Sequence, residues 1–164
     1  MDTPNTPPEQ PPLISTDPTL SSLSLPESVP LGGLYKRLVI SGNQGYLSGH
    51  GPYLGNGEYI TGRLGEGMDL CAGQAAARQT GLALLRTMQD ELGDLSRVKR
   101  IIKTLALVNS APDFDQQPQV INGFSELMRE VFGEERGIGA RSALGTNVLP
   151  GGIAVEIEMI IEVD

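Results

Sequence analysis

The segment Ile101–Asn109 restricts the architecture of this chain more than any other. It reads as a β-strand whose two alternating sets of side chains are both largely apolar: Ile101, Leu105 and Leu107 on one face, and Ile102, Ala106 and Val108 on the other. A strand that is apolar on both faces is covered on both faces, because neither set of side chains gains from contact with water. The sheet that contains this strand therefore needs two covering layers.

Two helices are predicted to supply one of those layers. Asp69–Leu92 is followed by Gly93, a residue that favours a helix end, and has apolar residues at helical spacing: Ala75, Leu82, Leu85, Met88 and Leu92. Pro118–Phe132 ends before Gly133 and has a second stripe: Val120, Phe124, Leu127 and Val131. Two such helices cover one face of a sheet. The face assigned to Ile102, Ala106 and Val108 is then expected to be covered by another copy of the chain.

Four further strands complete an α+β fold in the order ββαβαββ. Tyr35–Ser48 is predicted to form a hairpin about Gly42-Asn43, a pair suited to a tight turn. The last two strands are predicted at about 140–148 and 153–163, and the final one alternates strictly: Val155, Ile157, Met159, Ile161 and Val163. Gly49–Gly67 is rich in glycine and is interpreted as a long irregular connection of the kind that is often functional.

The N-terminal residues differ in composition from the rest. Met1–Pro18 is rich in Pro, Ser and Thr and is predicted to be a disordered tail, which leaves residues 19–164 as a single domain. Leu20, Leu23 and Leu25 are predicted to dock before the fold begins. The chain has no leader-like start and no apolar run of membrane-spanning length, so the cytoplasm is the expected compartment.

Composition removes several classes of function. The net charge of −8 disfavours binding to nucleic acid and to anionic membranes. One Cys, Cys71, and one His, His50, leave no internal disulfide and no metal site built from His and Cys. The glycine-rich run Gly62–Gly67 lacks the ending of a phosphate-binding loop. His50 has no nucleophile motif around it and is interpreted as an exposed loop side chain.

Arg141 and Glu156 are the candidates for chemistry. Arg141 begins a strand among small and apolar residues, where a guanidinium requires an anion. The favoured interpretation from residues alone is a salt bridge to Glu156 or Glu158, and the alternative is a clamp for a ligand carboxylate. Glu156 and Glu158 share one face of the last strand. That face is either solvated, or it is buried in an oligomer where a carboxylate of raised pKa positions a water.

Together, these motifs resemble the Rid, or YjgF-like, family. Three C-terminal segments carry the resemblance in order: Arg141-Ser142, Leu149-Pro150-Gly151 and Val155-Glu156-Ile157-Glu158. Ser48-Gly49 with Pro52 resembles the family's S-G-x-x-P loop, and Asn122 and Glu126 fall at its helix Asn and Glu. The segments Val108–Pro112 and Val120–Gly123 are similar to a longer-chain branch of the family.

The resemblance implies a chorismate-mutase-like homotrimer with a central barrel and with ligand pockets between subunits. It implies hydrolysis of 2-imino or enamine acids to 2-keto acids plus ammonia, without a cofactor or a metal. Arg141 would clamp the substrate carboxylate, and Glu156 would aid the attacking water. The other implied substrate-binding residues are Tyr35, Ser48, Gly49, Asn122 and Ala143. His50 stands where better-known members have Gln, and Ala143 where some have Cys, so the substrate does not carry over from the family.

Three other functions remain open. A non-catalytic trimer that binds a small carboxylate as a sensor or scaffold would use the same pocket. An endoribonuclease follows an old family label, but the acidic composition and the few aromatic residues argue against it. Chorismate mutase activity rests on fold analogy alone.

Overall fold

The computed structural model describes residues 22–164. The predicted disordered tail, Met1–Pro18, and Leu20 lie outside these residues. Leu23 and Leu25 are partly buried and pack against the core, as the predicted docking segment requires. The chain therefore contacts the folded unit well before its first strand.

The described residues form nine strands. In chain order they are β1 (Leu38–Ser41), β2 (Gln44–His50), β3 (Tyr53–Gly55), β4 (Glu58–Tyr59), β5 (Arg63–Leu64), β6 (Gly67–Met68), β7 (Val98–Asn109), β8 (Ala140–Thr146) and β9 (Val155–Val163). Five of them form the main sheet in the order β1-β2-β9-β7-β8. All neighbours are antiparallel except β7 and β8, which are parallel.

The β1–β2 hairpin follows the prediction from Gly42-Asn43. Ser41 pairs with Gln44, and Gly42 has a φ of 61°. The glycine-rich connection after β2 is more regular than predicted, since β3–β4 and β5–β6 each form a two-stranded sheet. At the β3–β4 turn, Asn56 and Gly57 both have positive φ, the backbone that a tight hairpin turn requires.

Two helices pack on one face of the main sheet, as predicted. Helix α1 (Leu70–Leu92) is capped by Asp69, whose side chain accepts a hydrogen bond from the backbone N–H of Ala72. Helix α2 (Gln117–Gly137) is interrupted at Gly133, which has a φ of 79°. The predicted stripe of α1 needs one correction, because Ala75 is exposed while Ala76 and Ala77 are buried.

The two helices approach closely at Gly123 of α2. A Cβ added there would overlap the backbone carbonyl of Gln74 in α1, so only glycine fits between the helices. Nearby, Gln74 Nε2 donates to the carbonyl of Gln119 at 2.9 Å. Arg78 and Glu130 form two parallel N–H···O bonds of 3.0 and 2.8 Å across the same contact. The crossing of α1 and α2 is thus fixed by both shape and hydrogen bonding.

A β-bulge in β7 decides which side chains face the helices. Its register with β9 shifts between Ile101 and Lys103, where Ile102 is an extra residue. The prediction that Ile102, Ala106 and Val108 form the uncovered face is therefore wrong. Ala106 and Val108 are fully buried in the core with Ile101, while Ile102 is half-buried at the bulge.

The opposite face of the main sheet carries no helix within residues 22–164. Leu105 and Leu107 of β7 lie there, half-buried, beside Glu158 and Glu156 of β9. Tyr46 of β2 is exposed on the same face, although it is large and aromatic. This uncovered face mixes apolar side chains with two carboxylates, so its composition suits an interface with a polar rim.

Neither α1 nor α2, the two long helices of the described part, is both long and apolar enough to cross a membrane. Residues 22–164 also contain no group of three or more His, Cys, Asp or Glu side chains placed to hold a metal ion. Cys71 is exposed near the start of α1.

Candidate active site

A cavity of about 760 Å³ opens beside the end of β2 and the start of β9. Its walls come from residues 29–35, from the β2 end at Ser48–Gly51, from the β3–β4 hairpin and from residues 150–156. Four of the predicted site residues line this cavity: Tyr35, Ser48, Gly49 and Glu156. We call it the pocket.

Glu156 brings a carboxylate into the pocket. It is half-buried on β9, and burial, followed by the nearby charge of Glu158, raises the pKa of its carboxyl group. Gly49 lies directly against it, so that a Cβ at Gly49 would overlap Oε1 of Glu156. Because glycine has no Cβ, it leaves the space that the Glu156 carboxylate occupies. A carboxylate of raised pKa can accept a proton from water more readily than a free glutamate can.

His50 is buried, which corrects its interpretation as an exposed loop residue. Its Nδ1 lies 2.7 Å from the carbonyl of Ser48, and its Nε2 lies 2.8 Å from Oγ1 of Thr87 in α1. Because a carbonyl only accepts, Nδ1 carries the proton and the Thr87 hydroxyl donates to Nε2 in the neutral ring. Burial lowers the pKa of His50, which favours this neutral form. His50 therefore connects the backbone at Ser48, which lines the pocket, to helix α1.

Ser48 and Tyr35 are both engaged in local hydrogen bonds. Ser48 Oγ donates to the carbonyl of Lys36 at 2.7 Å, so its proton is not aimed into the pocket. The Tyr35 hydroxyl accepts from the backbone N–H of Gly32 at 3.3 Å, and the ring is 46% exposed. Among residues 22–164 the hydroxyl proton of Tyr35 has no acceptor, so it can be donated to a ligand in the pocket.

Residues 27–37, called the strap, form the outer wall of the pocket. Arg37 Nε donates to the carbonyl of Val29 at 2.7 Å, and Ser28 Oγ donates to Asp90 in α1 at 2.6 Å. The sequence patterns did not reveal this wall. One signal was available for the facing β3–β4 hairpin, since Asn56-Gly57 is a strong hairpin turn.

The strap is joined to that hairpin by Glu27. Its Oε1 accepts from the Tyr53 hydroxyl at 2.9 Å and from the backbone N–H of Asn56. These two bonds lower the pKa of Glu27, the bond to Asn56 most. The strap and the hairpin are therefore connected before any ligand binds.

Arg141 lies in a second place, at the free edge of the sheet. Its Nη1 donates to Asn122 Oδ1 at 3.1 Å and to Ser125 Oγ at 2.9 Å, and Nη2 donates to the carbonyl of Pro118 at 3.2 Å. All three acceptors are neutral groups of α2. Burial without an anionic partner lowers the pKa of Arg141, although it stays protonated at any ordinary pH.

The predicted salt bridge from Arg141 to Glu156 or Glu158 is wrong. β8 and β9 are consecutive in the chain but not adjacent in the sheet, because β7 lies between them. Arg141 pairs with buried Thr104 and faces the helices, whereas Glu156 pairs with Leu107 and faces the other side. The guanidinium and the carboxylates thus lie on opposite faces of one sheet.

The predicted site residues consequently form two groups. The pocket group contains Tyr35, Ser48, Gly49 and Glu156. The edge group contains Arg141, its hydrogen-bond partner Asn122, and Ala143, which lies two residues along β8 on the same face as Arg141. Glu126, the other helix residue of the resemblance, is exposed on α2. The pocket is not lined by any residue of the edge group.

Comparison with known proteins gives consistent matches over nearly the whole chain. A family model described as "YjgF/chorismate mutase-like, putative endoribonuclease" matches residues 18–160. Protein TCP17 of Trypanosoma cruzi is 43% identical over 142 residues, which cover 87% of this chain and 89% of that protein.

Solved structures agree in fold. The protein Atu1372 from Agrobacterium tumefaciens, a protein with unknown function, has a TM-score of 0.81 and 37% identity, covering 89% of each chain. A structure from Shewanella oneidensis MR-1, described as a "putative endoribonuclease", has a TM-score of 0.83 and 29% identity, covering 88% of this chain and 95% of that one. The family model, which matches residues 18–160, includes the pocket group and the edge group alike.

Proposed function

The chain belongs to the YjgF/chorismate mutase-like (Rid) family, and we propose that it hydrolyses reactive 2-imino or enamine acids to 2-keto acids and ammonia. The reaction would take place in a pocket that two copies of a homotrimer complete together. Arg141 binds the substrate carboxylate, and Glu156 positions and deprotonates the attacking water.

One observation carries the proposal: Arg141 is held by neutral acceptors and pairs with no carboxylate of residues 22–164. A half-buried guanidinium without an anion is costly, and a ligand carboxylate bound there would supply the missing negative charge. Its three hydrogen bonds use three of its five N–H groups. Two N–H groups remain for a carboxylate, which accepts two parallel bonds in this geometry.

The separation of the two groups supports a site shared between copies. Glu156 lies in the pocket on the uncovered side of the sheet, and Arg141 lies at the free edge formed by β8. The uncovered face carries half-buried Leu105 and Leu107, which gain from burial against a second subunit. A ring of three copies would place the edge of one subunit over the pocket of the next, and each contact would have the same two parts.

The chemistry asks little more of the protein than positioning. Water adds to the carbon of the C=N bond while Glu156 takes one of its protons. The resulting amino alcohol collapses to the C=O of the keto acid, and the nitrogen leaves as ammonia after it has received a proton. Positioned acid–base help contributes about 10²–10⁴-fold. That is sufficient for an imine that already hydrolyses in water.

The test is a competition assay. An amino-acid oxidase generates 2-iminopropanoate, semicarbazide traps the surviving imine, and the wild type is compared with Arg141→Ala. The matched control is Arg129→Ala, which removes an exposed arginine of α2. We expect the wild type and the control to deplete the imine and Arg141→Ala to leave it. Equal depletion by Arg141→Ala would contradict the proposed clamp.

The principal alternative is a trimer that binds the same carboxylates without turnover, as a sensor or scaffold. It predicts binding of 2-keto acids that is lost in Arg141→Ala, with no hydrolysis of any imine by the wild type. Endoribonuclease activity is suggested by the descriptions of the family and of the Shewanella protein. Cleavage of RNA that disappears in Arg141→Ala would support it, and the net charge of −8 argues against it.

A further inference from the structure

We infer that the pocket selects substrates with a large aromatic or branched apolar side chain, which packs against Tyr59 and Ile153. The inference rests on the proposed function in one respect, that the substrate is a 2-imino acid whose reacting carbon lies beside Glu156. It adds the substrate class that this chain prefers.

The pocket wall at Gly49 and Gly51 sets the distance between the Glu156 carboxylate and the apolar side chains. Gly49 lies against the Glu156 carboxylate, and Gly51, two residues on, lies under an apolar wall. A Cβ at Gly51 would be 2.8 Å from Cδ1 of Ile153 and 3.3 Å from Cδ1 of Tyr59. Two residues of chain span at most about 7 Å. The apolar wall therefore lies within about 7 Å of Gly49, a distance that a phenylalanine or leucine side chain of a substrate can bridge.

Backbone pairing fixes this wall in place. Thr61 forms a bridge with Ile153, and the N–H of Ala154 donates to the carbonyl of Ile60 at 3.1 Å. The ring of Tyr59 lies against that of Tyr53, with centroids 5.0 Å apart and planes tilted by 50°. A wall that is already ordered loses little entropy on binding, so more of the contact energy appears as affinity.

The volume and charge of the pocket agree with a bulky, uncharged side chain. Its volume of about 760 Å³ lies in the usual range for small-molecule sites and far exceeds the needs of a three-carbon acid. Val29 and Pro30 of the strap extend the apolar lining. Glu156 is the one charged residue among the lining residues, so a second carboxylate in the substrate would meet repulsion and no compensating cation.

The experiment measures binding of 2-keto acids to the full chain by titration calorimetry. Burying an aromatic side chain in place of a methyl group predicts that phenylpyruvate binds on the order of tenfold tighter than pyruvate, or better. 4-Methyl-2-oxopentanoate should lie between them, and 2-oxoglutarate should bind no better than pyruvate. Pyruvate binding as tightly as phenylpyruvate, 2-oxoglutarate binding tightest, or no binding of any keto acid would overturn the inference.

Two variants locate the selectivity. Tyr59→Ala should reduce the ratio of the pyruvate Kd to the phenylpyruvate Kd by about fivefold or more, because one face of the wall is lost. Leu54→Ala changes an exposed residue of the same hairpin that does not line the pocket, and it should keep the wild-type ratio. An unchanged ratio in Tyr59→Ala would place the selectivity elsewhere and overturn the inference.

Turnover separates this inference from the proposed function. Imines made from phenylalanine and from alanine are compared as substrates of the wild type in the semicarbazide assay. Selective binding of phenylpyruvate with no hydrolysis of either imine would refute the deaminase and leave the side-chain preference standing. Hydrolysis of both imines at equal rates, with equal keto-acid affinities, would refute the side-chain preference and leave the deaminase standing.

Discussion

The arrangement of the two groups predicts that two inactive variants restore each other's activity. Arg141→Ala removes the edge group and keeps the pocket group, while Glu156→Gln does the opposite. Each variant alone should lose about 10²-fold or more in kcat/KM. If each site takes its pocket from one copy and its edge from the next, a mixed ring contains sites with both native groups.

The size of the recovery follows from the geometry. In randomly mixed trimers made from equal amounts of the two variants, a site is intact only when its pocket comes from one variant and its edge from the other. The chance is one half for each contribution, so about a quarter of wild-type activity is expected. Wild type mixed equally with the double variant should also retain about a quarter, whereas a site within one copy would retain about half.

The assay uses co-expression of the two variants with different affinity tags, so that only mixed assemblies are isolated. Each mixed trimer contains one intact site of three, so the expected recovery in the isolated fraction rises to about a third of wild-type activity. Imine hydrolysis is then measured with semicarbazide, and the subunit ratio is checked by mass spectrometry. Recovery near zero in verified mixed assemblies would refute the shared site, because both groups would then have to act in the same copy. The separate positions of Arg141 and Glu156 in the fold would then have no functional explanation.

Three further variants test single features. Gly49→Ala should displace the Glu156 carboxylate and lower kcat/KM by about 10²-fold. In a Glu156→Ala background the same substitution should cause no further loss of kcat/KM. An additive loss would show that Gly49→Ala does not act through the Glu156 carboxylate. His50 is the chain's one histidine, and its lowered pKa means that the unfolded chain binds its proton first as the pH falls below about 6.5. Wild type should therefore lose up to about 1.4 kcal/mol of unfolding free energy per pH unit below that value, and His50→Gln should not, as measured by urea denaturation from pH 7.5 to 5.5. Gly123→Ala should destabilise the protein by about 1–3 kcal/mol or more despite the better helix propensity of alanine, since the carbonyl of Gln74 occupies the space; an unchanged urea midpoint would contradict the close contact.

Local sequence patterns were sufficient for most of the secondary structure. Gly42-Asn43 predicted the first hairpin, Asp69 and Gly93 bound the first helix, and the alternation from Val155 to Val163 matched the buried face of β9. These signals lie within a few residues of the elements that they specify. They therefore survive whatever the rest of the chain does.

The errors arose where distant residues decide the outcome. The bulge at Ile102 exchanges the faces of β7, and no periodicity within the strand reveals it. Burial of His50 depends on Thr87, which is 37 residues away. Arg141 was assigned to a carboxylate of the next strand in the chain, whereas its actual neighbour in the sheet is β7. In each case sequence proximity was a poor guide to spatial proximity.

The resemblance to the Rid family named residues that periodicity alone left ambiguous. It placed Arg141 with Asn122 in one set of site residues, and the structure brings these two side chains to 3.1 Å. Of the strap it named only Tyr35, and it named no residue of the β3–β4 hairpin.

The two hydrogen bonds of Glu27 have a consequence for where a shortened chain can begin. Residues 22–37 belong to no helix or strand, so a truncation designed from the described secondary structure alone would start near Leu38. Such a fragment would keep the whole main sheet and both helices, yet the β3–β4 hairpin would have lost the carboxylate that ties it down. Even if it folded, its binding wall would be altered. A fragment that is meant to keep the pocket therefore has to begin ahead of Glu27.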